Sequence, residues 1–263
     1  MADYPFTSAL VTGASSGIGA EMARLLGEAG VPTVVVARRG DRLRELADRF
    51  DGFEVLEADL SKRKGQRTVA ARAGSRDEPV DLVVNNAGFG SSGQFRELDR
   101  ARLLNEVDVN VRALTAISHA AGTAMAARER GYLLNVSSVA GFQASPGLAV
   151  YAATKAYVTS LTEALHEELR DHGVHVTALC PGLTPTEFQD RSSTTNLVDR
   201  LPGFVWTSAA SVAETALADV VRNKAISVPG ALYKGMAFAS SVTPRGITRR
   251  MAGMTNDGPF RNA

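Results

Sequence analysis

The sequence predicts an α/β protein built on a doubly wound parallel sheet of about seven strands with helices on both faces. Short runs rich in Val and Leu alternate with longer segments of helical periodicity, the pattern of successive β-α-β units. Several of those runs are apolar throughout rather than alternating, as expected of strands covered on both faces. The first run is followed at once by a glycine-rich turn that opens a helix.

In order along the chain, strands are expected near Ala9–Val11, Thr33–Val36, Glu54–Leu56, Leu82–Val84, Tyr132–Val136, Val174–Leu179 and Ile226–Val228. Helices are expected near Gly17–Glu28, Asp41–Phe50, Ala101–Arg128, Ala152–Asp171 and Ser211–Arg222. The stretch Ser61–Asp77 carries Lys62, Arg63, Lys64, Arg67, Arg72 and Arg76 and reads as a solvated helix face, the least regular of the helical patterns. No repeat, low-complexity linker or shift in composition divides the 263 residues, so one domain over residues 1–263 is expected. Its cofactor half runs to about 135, its catalytic and substrate-binding part to about 230, and a tail follows.

A formal net charge of +1 supplies no long-range field for polyanions, so nucleic acid is not an expected partner. Cys180 is the single cysteine, which excludes an internal disulfide framework and suits a reducing compartment. Residues Met1 to Thr7 lack a basic and apolar leader pattern, and no run is long enough to cross a bilayer, so a cytoplasmic address is expected. His119, His166, His172 and His175 form no metal-ligand spacing with carboxylates or the thiol, so no metal is predicted. Cys180 itself reads as a packing residue.

The glycine-rich turn reads Thr12-Gly13-Ala14-Ser15-Ser16-Gly17-Ile18-Gly19. Glycines there permit a tight turn, close backbone approach to a pyrophosphate and close packing of helix on strand, and the helix N-terminus offers N–H groups and a positive dipole end. Gly13, Ser15, Ser16, Gly17, Ile18 and Gly19 are therefore candidate cofactor contacts. The spacing G-x-x-x-G-x-G differs from the G-x-G-x-x-G fingerprint. It resembles the cofactor turn of the short-chain dehydrogenase/reductase family, whose members have a single-domain Rossmann fold. The likeness extends through Asn85-Asn86-Ala87-Gly88, Asn110, Ser138, Tyr151-x-x-x-Lys155 and Pro181-Gly182, in the family's order.

At the end of the second strand a carboxylate would grip a ribose 2′-hydroxyl, whereas arginine accommodates a 2′-phosphate. The chain reads Val36-Ala37-Arg38-Arg39, so NADP(H) is the predicted cofactor, with Arg38 on the phosphate and Arg39 beside it as a further cofactor contact; two surface arginines opening the next helix are the competing reading. The resemblance implies further cofactor contacts at Asp59 and Leu60, at Asn86, Ala87 and Gly88, and at Pro181, Gly182, Thr184 and Thr186. A helix cap is the competing reading of Asp59.

Tyr151 and Lys155 stand four apart and so project from one helix face. A lysine cation there is expected to stabilise phenolate and to lower the tyrosine pKa. The resemblance makes Tyr151 the acid/base of hydride transfer between an alcohol and a carbonyl, and gives Lys155 the nicotinamide ribose. It puts Ser138 on the substrate oxygen and has Asn110 order a water that relays protons to the lysine. Ser137 competes with Ser138, and a buried asparagine satisfying backbone groups competes with the water-ordering role of Asn110.

Phe89, Phe95, Phe142, Phe188, Phe204 and Trp206 fall near loops at the carboxyl edge of the sheet, which suggests an apolar pocket for a small carbonyl or alcohol substrate. The residues between Thr186 and Trp206 are expected to form a lid. The basic, amphipathic tail Leu232–Asn256 is expected to dock on the protein rather than on a membrane. The resemblance implies a homodimer or homotetramer joined through the helices that carry Asn110 and Tyr151. Competing readings are a 3-oxoacyl thioester reductase, a non-catalytic NADP(H)-binding sensor on the same fold, and an epimerase or dehydratase of the extended relatives, which would need more chain.

Overall fold

The computed structural model describes residues 4–188, 202–243 and 246. Its seven strands are β1 (Ala9–Thr12), β2 (Thr33–Ala37), β3 (Glu54–Glu57), β4 (Leu82–Asn85), β5 (Gly131–Val136), β6 (Val174–Leu179) and β7 (Ile226–Ser227). They form one sheet in the order β3-β2-β1-β4-β5-β6-β7, every neighbouring pair parallel. The chain leaves β1 toward β3 and then returns to place β4 on the other side of β1. The carboxyl ends of β1 and β4 therefore flank the point where winding reverses, which opens a crevice for a ligand.

The helices are α1 (Gly17–Glu28), α2 (Gly40–Ala47), α3 (Arg63–Ala73), α4 (Arg100–Val107), α5 (Leu114–Ala127), α6 (Ala149–Arg170), α7 (Ala209–Val221) and α8 (Ala231–Val242). Alternate strand residues feed two cores, as a period of two requires. Val11, Val84 and Leu134 pack with Met22, Leu26, Val212 and Leu217 of α1 and α7. Leu10, Val83 and Leu133 pack with Val69 of α3 and with Ile117, Ala121 and Met125 of α5 on the opposite face. Both strand faces are thus desolvated, each large apolar side chain contributing roughly 1.5–3 kcal/mol, which accounts for the apolar runs.

The basic stretch does form α3: Val69 and Ala73 face the core, while the basic residues lie mainly on the outer face. The long helical segment expected over Ala101–Arg128 is interrupted. Asp108–Ala113 is a π turn between α4 and α5, a one-residue widening that hydrophobic periodicity does not reveal. The second helix stops at Ala47, short of the expected Phe50. The tail contributes α8, which ends at Val242; the remainder of the expected tail, and most of the expected lid, lie outside the described residues. Among the described residues no helix is long and apolar enough to cross a membrane.

Candidate active site

A cleft of about 1190 Å³ opens along the carboxyl edge of the sheet. Its first wall is the turn after β1. Gly13 (φ +69°) and Gly17 (φ +59°) adopt backbone conformations that side chains disfavour. Gly19 packs so closely on the turn that a Cβ would lie 2.6 Å from the Gly13 carbonyl oxygen.

The Asn85-Asn86-Ala87-Gly88 element braces that turn. The Thr12 hydroxyl accepts the Asn86 and Ala87 N–H groups, both at 3.0 Å, and Asn86 Nδ2 donates to the Thr12 carbonyl at 2.9 Å. The Asn86 amide nitrogen is thus directed at protein backbone, the Thr12 and Gly13 carbonyls. Asn85 instead points into the core, donating to Asn135 and Ser118.

At the end of the cleft beside the turn after β2, Arg39 rather than Arg38 reaches the glycine turn. Its guanidinium donates to Ser15 Oγ at 2.9 Å, Ser16 Oγ at 2.9 Å and Glu187 Oε2 at 2.8 Å. Arg38 is exposed on the cleft rim, its charge near Asp59. Asp59 does not cap α3, whose cap position is Lys62; it accepts the Ser61 N–H at 3.0 Å. Burial raises its carboxyl, but the Ser61 hydrogen bonds and the Arg38 charge outweigh this and hold it below the usual range.

At the opposite end α6 carries Tyr151 and Lys155 on one face, since four residues make about one turn. The Ser138 hydroxyl lies within hydrogen-bonding reach of the Tyr151 hydroxyl. Ser137 turns away into α6, its hydroxyl bonding the Lys155 carbonyl and Thr159 Oγ1, each at 2.7 Å. Lys155 Nζ donates to the Val136 carbonyl at 2.7 Å and stands 5.7 Å from the Tyr151 ring centre.

The expected lowering of the Tyr151 pKa is reversed. Burial pushes the phenol up to about 12, with the Ser138 hydrogen bond opposing it only in part. Burial likewise brings the Lys155 ammonium down to about 8, against the opposing charges of Cys180 and Glu106. Desolvation of both groups exceeds any mutual stabilisation of phenolate and ammonium at this separation.

Asn110 lies behind the cleft wall in the π turn. Its Nδ2 donates to the Phe89 carbonyl at 2.8 Å and to Thr154 Oγ1 at 3.1 Å, and its Oδ1 accepts the Phe89 N–H at 3.2 Å. These bonds make it a brace for the loop after β4. A methyl on Gly88 would lie 3.0 Å from Asn110 Oδ1 and 3.5 Å from Lys155 Nζ. Apart from Gly19 and Asn110, every site residue expected from the sequence lines the cleft.

The expected aromatic pocket is partly corrected. Phe89 and Phe188 line the cleft, with the Phe188 ring 5.3 Å from that of Tyr151. Phe95 is 64% exposed outside it, Phe142 packs beside Ala178 and Cys180, Trp206 does not line it, and the Phe204 side chain lies outside the description. Leu148, Leu183, Leu232 and Met236 supply the apolar wall instead. Tyr233, absent from the sequence reading, accepts the Leu183 N–H at 3.0 Å and donates to the Val205 carbonyl at 2.6 Å.

Two further residues went unread in the sequence. Arg102 donates to Ser91 Oγ at 3.1 Å and to the Gly90 carbonyl at 3.2 Å. Glu106 is fully buried with no hydrogen-bond partner on either carboxylate oxygen. The i, i+4 spacing Arg102, Glu106, Asn110 was the available signal.

The glycine turn, an arginine that holds an anionic side chain and a proton-bearing pair on one cleft fit a nicotinamide dinucleotide and its chemistry. A family model described as short chain dehydrogenase matches residues 7–197. An uncharacterised oxidoreductase of Myxococcus xanthus is 37% identical over 195 residues, covering 71% of this chain and 76% of that protein. A short-chain dehydrogenase from Sphingobium yanoikuyae, solved in complex with NADPH, superposes with a TM-score of 0.80 at 29% identity, covering 97% of this chain and 98% of that one. A bulky-bulky ketone specific alcohol dehydrogenase from Comamonas testosteroni gives a TM-score of 0.76 at 28% identity, covering 98% and 96%. The residues that build the cleft and these likenesses lead to one conclusion: the chain is an oxidoreductase belonging to the short-chain dehydrogenase family.

Proposed function

We propose that this chain uses NADP(H) to interconvert a ketone or aldehyde and the corresponding alcohol, with Tyr151 as general acid and base. The observation that carries the reading is the convergence of Tyr151, Ser138 and Lys155 on the cleft that the glycine turn and Arg39 also line. When bound, the nicotinamide supplies or accepts the hydride.

Tyr151, with its pKa raised to about 12, keeps its proton at neutral pH and is available to donate it to a developing alkoxide. The Ser138 hydroxyl, beside that of Tyr151, holds the substrate oxygen. Lys155 titrates near 8 and is largely an ammonium at neutral pH, placed to hold a ribose hydroxyl and to favour phenolate in the oxidative direction. Asn110, through Phe89, keeps the floor of the site in place.

Arg39 and Arg38 are the cations for a 2′-phosphate, and the NADPH-bound relative supports that choice. Phe89, Phe188, Leu148, Leu183, Leu232 and Met236 favour an apolar carbonyl compound, in keeping with the relative named for bulky ketones. The test is an NADPH-consumption screen across ketones, aldehydes and 3-oxoacyl thioesters, with Tyr151→Phe as the blank. Wild-type turnover that Tyr151→Phe abolishes, with NADPH binding retained, is the expected result. Turnover surviving in Tyr151→Phe would refute the role of the phenol.

A further inference from the structure

Glu187 follows β6, 148 residues from Arg39, yet two arginines from the turn after β2 hold its carboxylate. Arg39 Nη1 donates to Oε2 at 2.8 Å, and Arg42 Nη1 donates to Oε1. The rest of the Arg39 fork is spent on the glycine turn, Nε and Nη2 on the Ser15 hydroxyl and Nη2 also on the Ser15 carbonyl and the Ser16 hydroxyl. The ion pairs tie the turn after β2 to the segment leading toward the proton-transfer end, where Phe188 rests against Tyr151 and Gly90.

Two guanidinium groups, with the hydroxyls of Ser15 and Ser16 beside one of them, form a donor set suited to a phosphate monoester. Here a carboxylate fills it. Hydrogen bonds from Arg42 and Arg39 bring the Glu187 carboxyl down to about 2, so it is an anion at every pH at which the protein would work.

We propose that Glu187 is an internal competitor for the 2′-phosphate of the cofactor and so helps to set the preference between phosphorylated and unphosphorylated dinucleotides. The inference rests on the NADP(H) reading above. A dinucleotide with a 2′-phosphate takes Arg39 from the carboxylate; one without it leaves the ion pairs closed. Binding of the phosphate is therefore an exchange of anions, and its net gain is the difference between two similar sets of hydrogen bonds. The same exchange frees Glu187, and with it the neighbouring Phe188, from the adenosine end.

The experiment measures calorimetric affinities of wild type and Glu187→Gln for 2′,5′-ADP and for 5′-AMP, which differ only in the phosphate at issue. The pairs are partly exposed, so removing the competing charge is expected to tighten 2′,5′-ADP by about threefold to tenfold and leave 5′-AMP within about twofold. The gain should shrink as ionic strength rises, and Glu187→Ala should reproduce it. An unchanged or weakened affinity for 2′,5′-ADP, or an equal gain for both probes, overturns the inference while leaving the NADP(H) reading intact. A wild type indifferent to the 2′-phosphate overturns both.

Discussion

Replacing Glu106 by Gln tests the electrostatics beneath the site. The Glu106 side chain on α4 is fully buried, with neither oxygen hydrogen-bonded. Burial pushes its carboxyl from 4.5 up to about 6, and nearby Ser91 together with the charges of Arg102 and Lys155 offsets this only in part. A carboxyl whose folded pKa lies above its unfolded value favours folding in its protonated form. Its contribution is complete below pH 4.5 and is lost as pH rises through 6. The interval between 4.5 and about 6 corresponds to about 2 kcal/mol against the wild type at neutral and higher pH.

Gln keeps the shape and removes the charge. The stability of Glu106→Gln relative to wild type should therefore improve by about 2 kcal/mol between pH 4.5 and pH 8, or about 4–8 °C in thermal midpoint for a chain of this size. Thermal unfolding of both proteins at several pH values reads this directly. A difference in midpoint that stays constant from pH 4.5 to 8 would refute the claim that a carboxylate only partly compensated by its neighbours is buried there.

Two further outcomes follow from packing. Gly19→Ala puts a methyl 2.6 Å from the Gly13 carbonyl oxygen, so it should cost about 1–3 kcal/mol and abolish NADPH binding measured by nucleotide fluorescence; wild-type affinity would contradict the packing role of Gly19. Tyr233→Phe strands the Leu183 N–H and the Val205 carbonyl at a cost of about 1–3 kcal/mol, and should speed hydrogen exchange at the Leu183 amide. Unaltered exchange there would remove Tyr233 from the cleft wall's supports.

The strands and the glycine turn were legible because both are local. Apolar runs such as Leu82–Val84 report burial on two faces, and Gly13 and Gly17 report positive φ. The partners of a polar side chain are not local. Family likeness singles out Asn86 and Asn110, but their bonds to Thr12 and to Phe89 appear only once β1, β4 and the π turn are assembled. The pKa of Tyr151 fails for the same reason. Spacing brings Lys155 onto its helix face, while the water excluded around both is a property of the whole cleft wall. The sequence pointed to Arg38 as the arginine at the turn, and it is Arg39 that reaches Ser15 and Ser16; strand-end side chains alternate and the register belongs to the sheet, so the dipeptide alone does not tell which one turns inward.

The π turn at Asp108–Ala113 has a consequence for how this helix can vary. One residue of regular helix turns the chain by roughly 100°, so the inserted residue works as a phase shifter within a single rod. Ahead of it Arg102, and within it Asn110, address the loop after β4; beyond it, Ile117, Ala121 and Met125 address the sheet. Removing one residue from the turn would restore an unbroken spiral and force a choice between the two faces. The insertion lets the loop-facing end be retuned without disturbing the core-facing end.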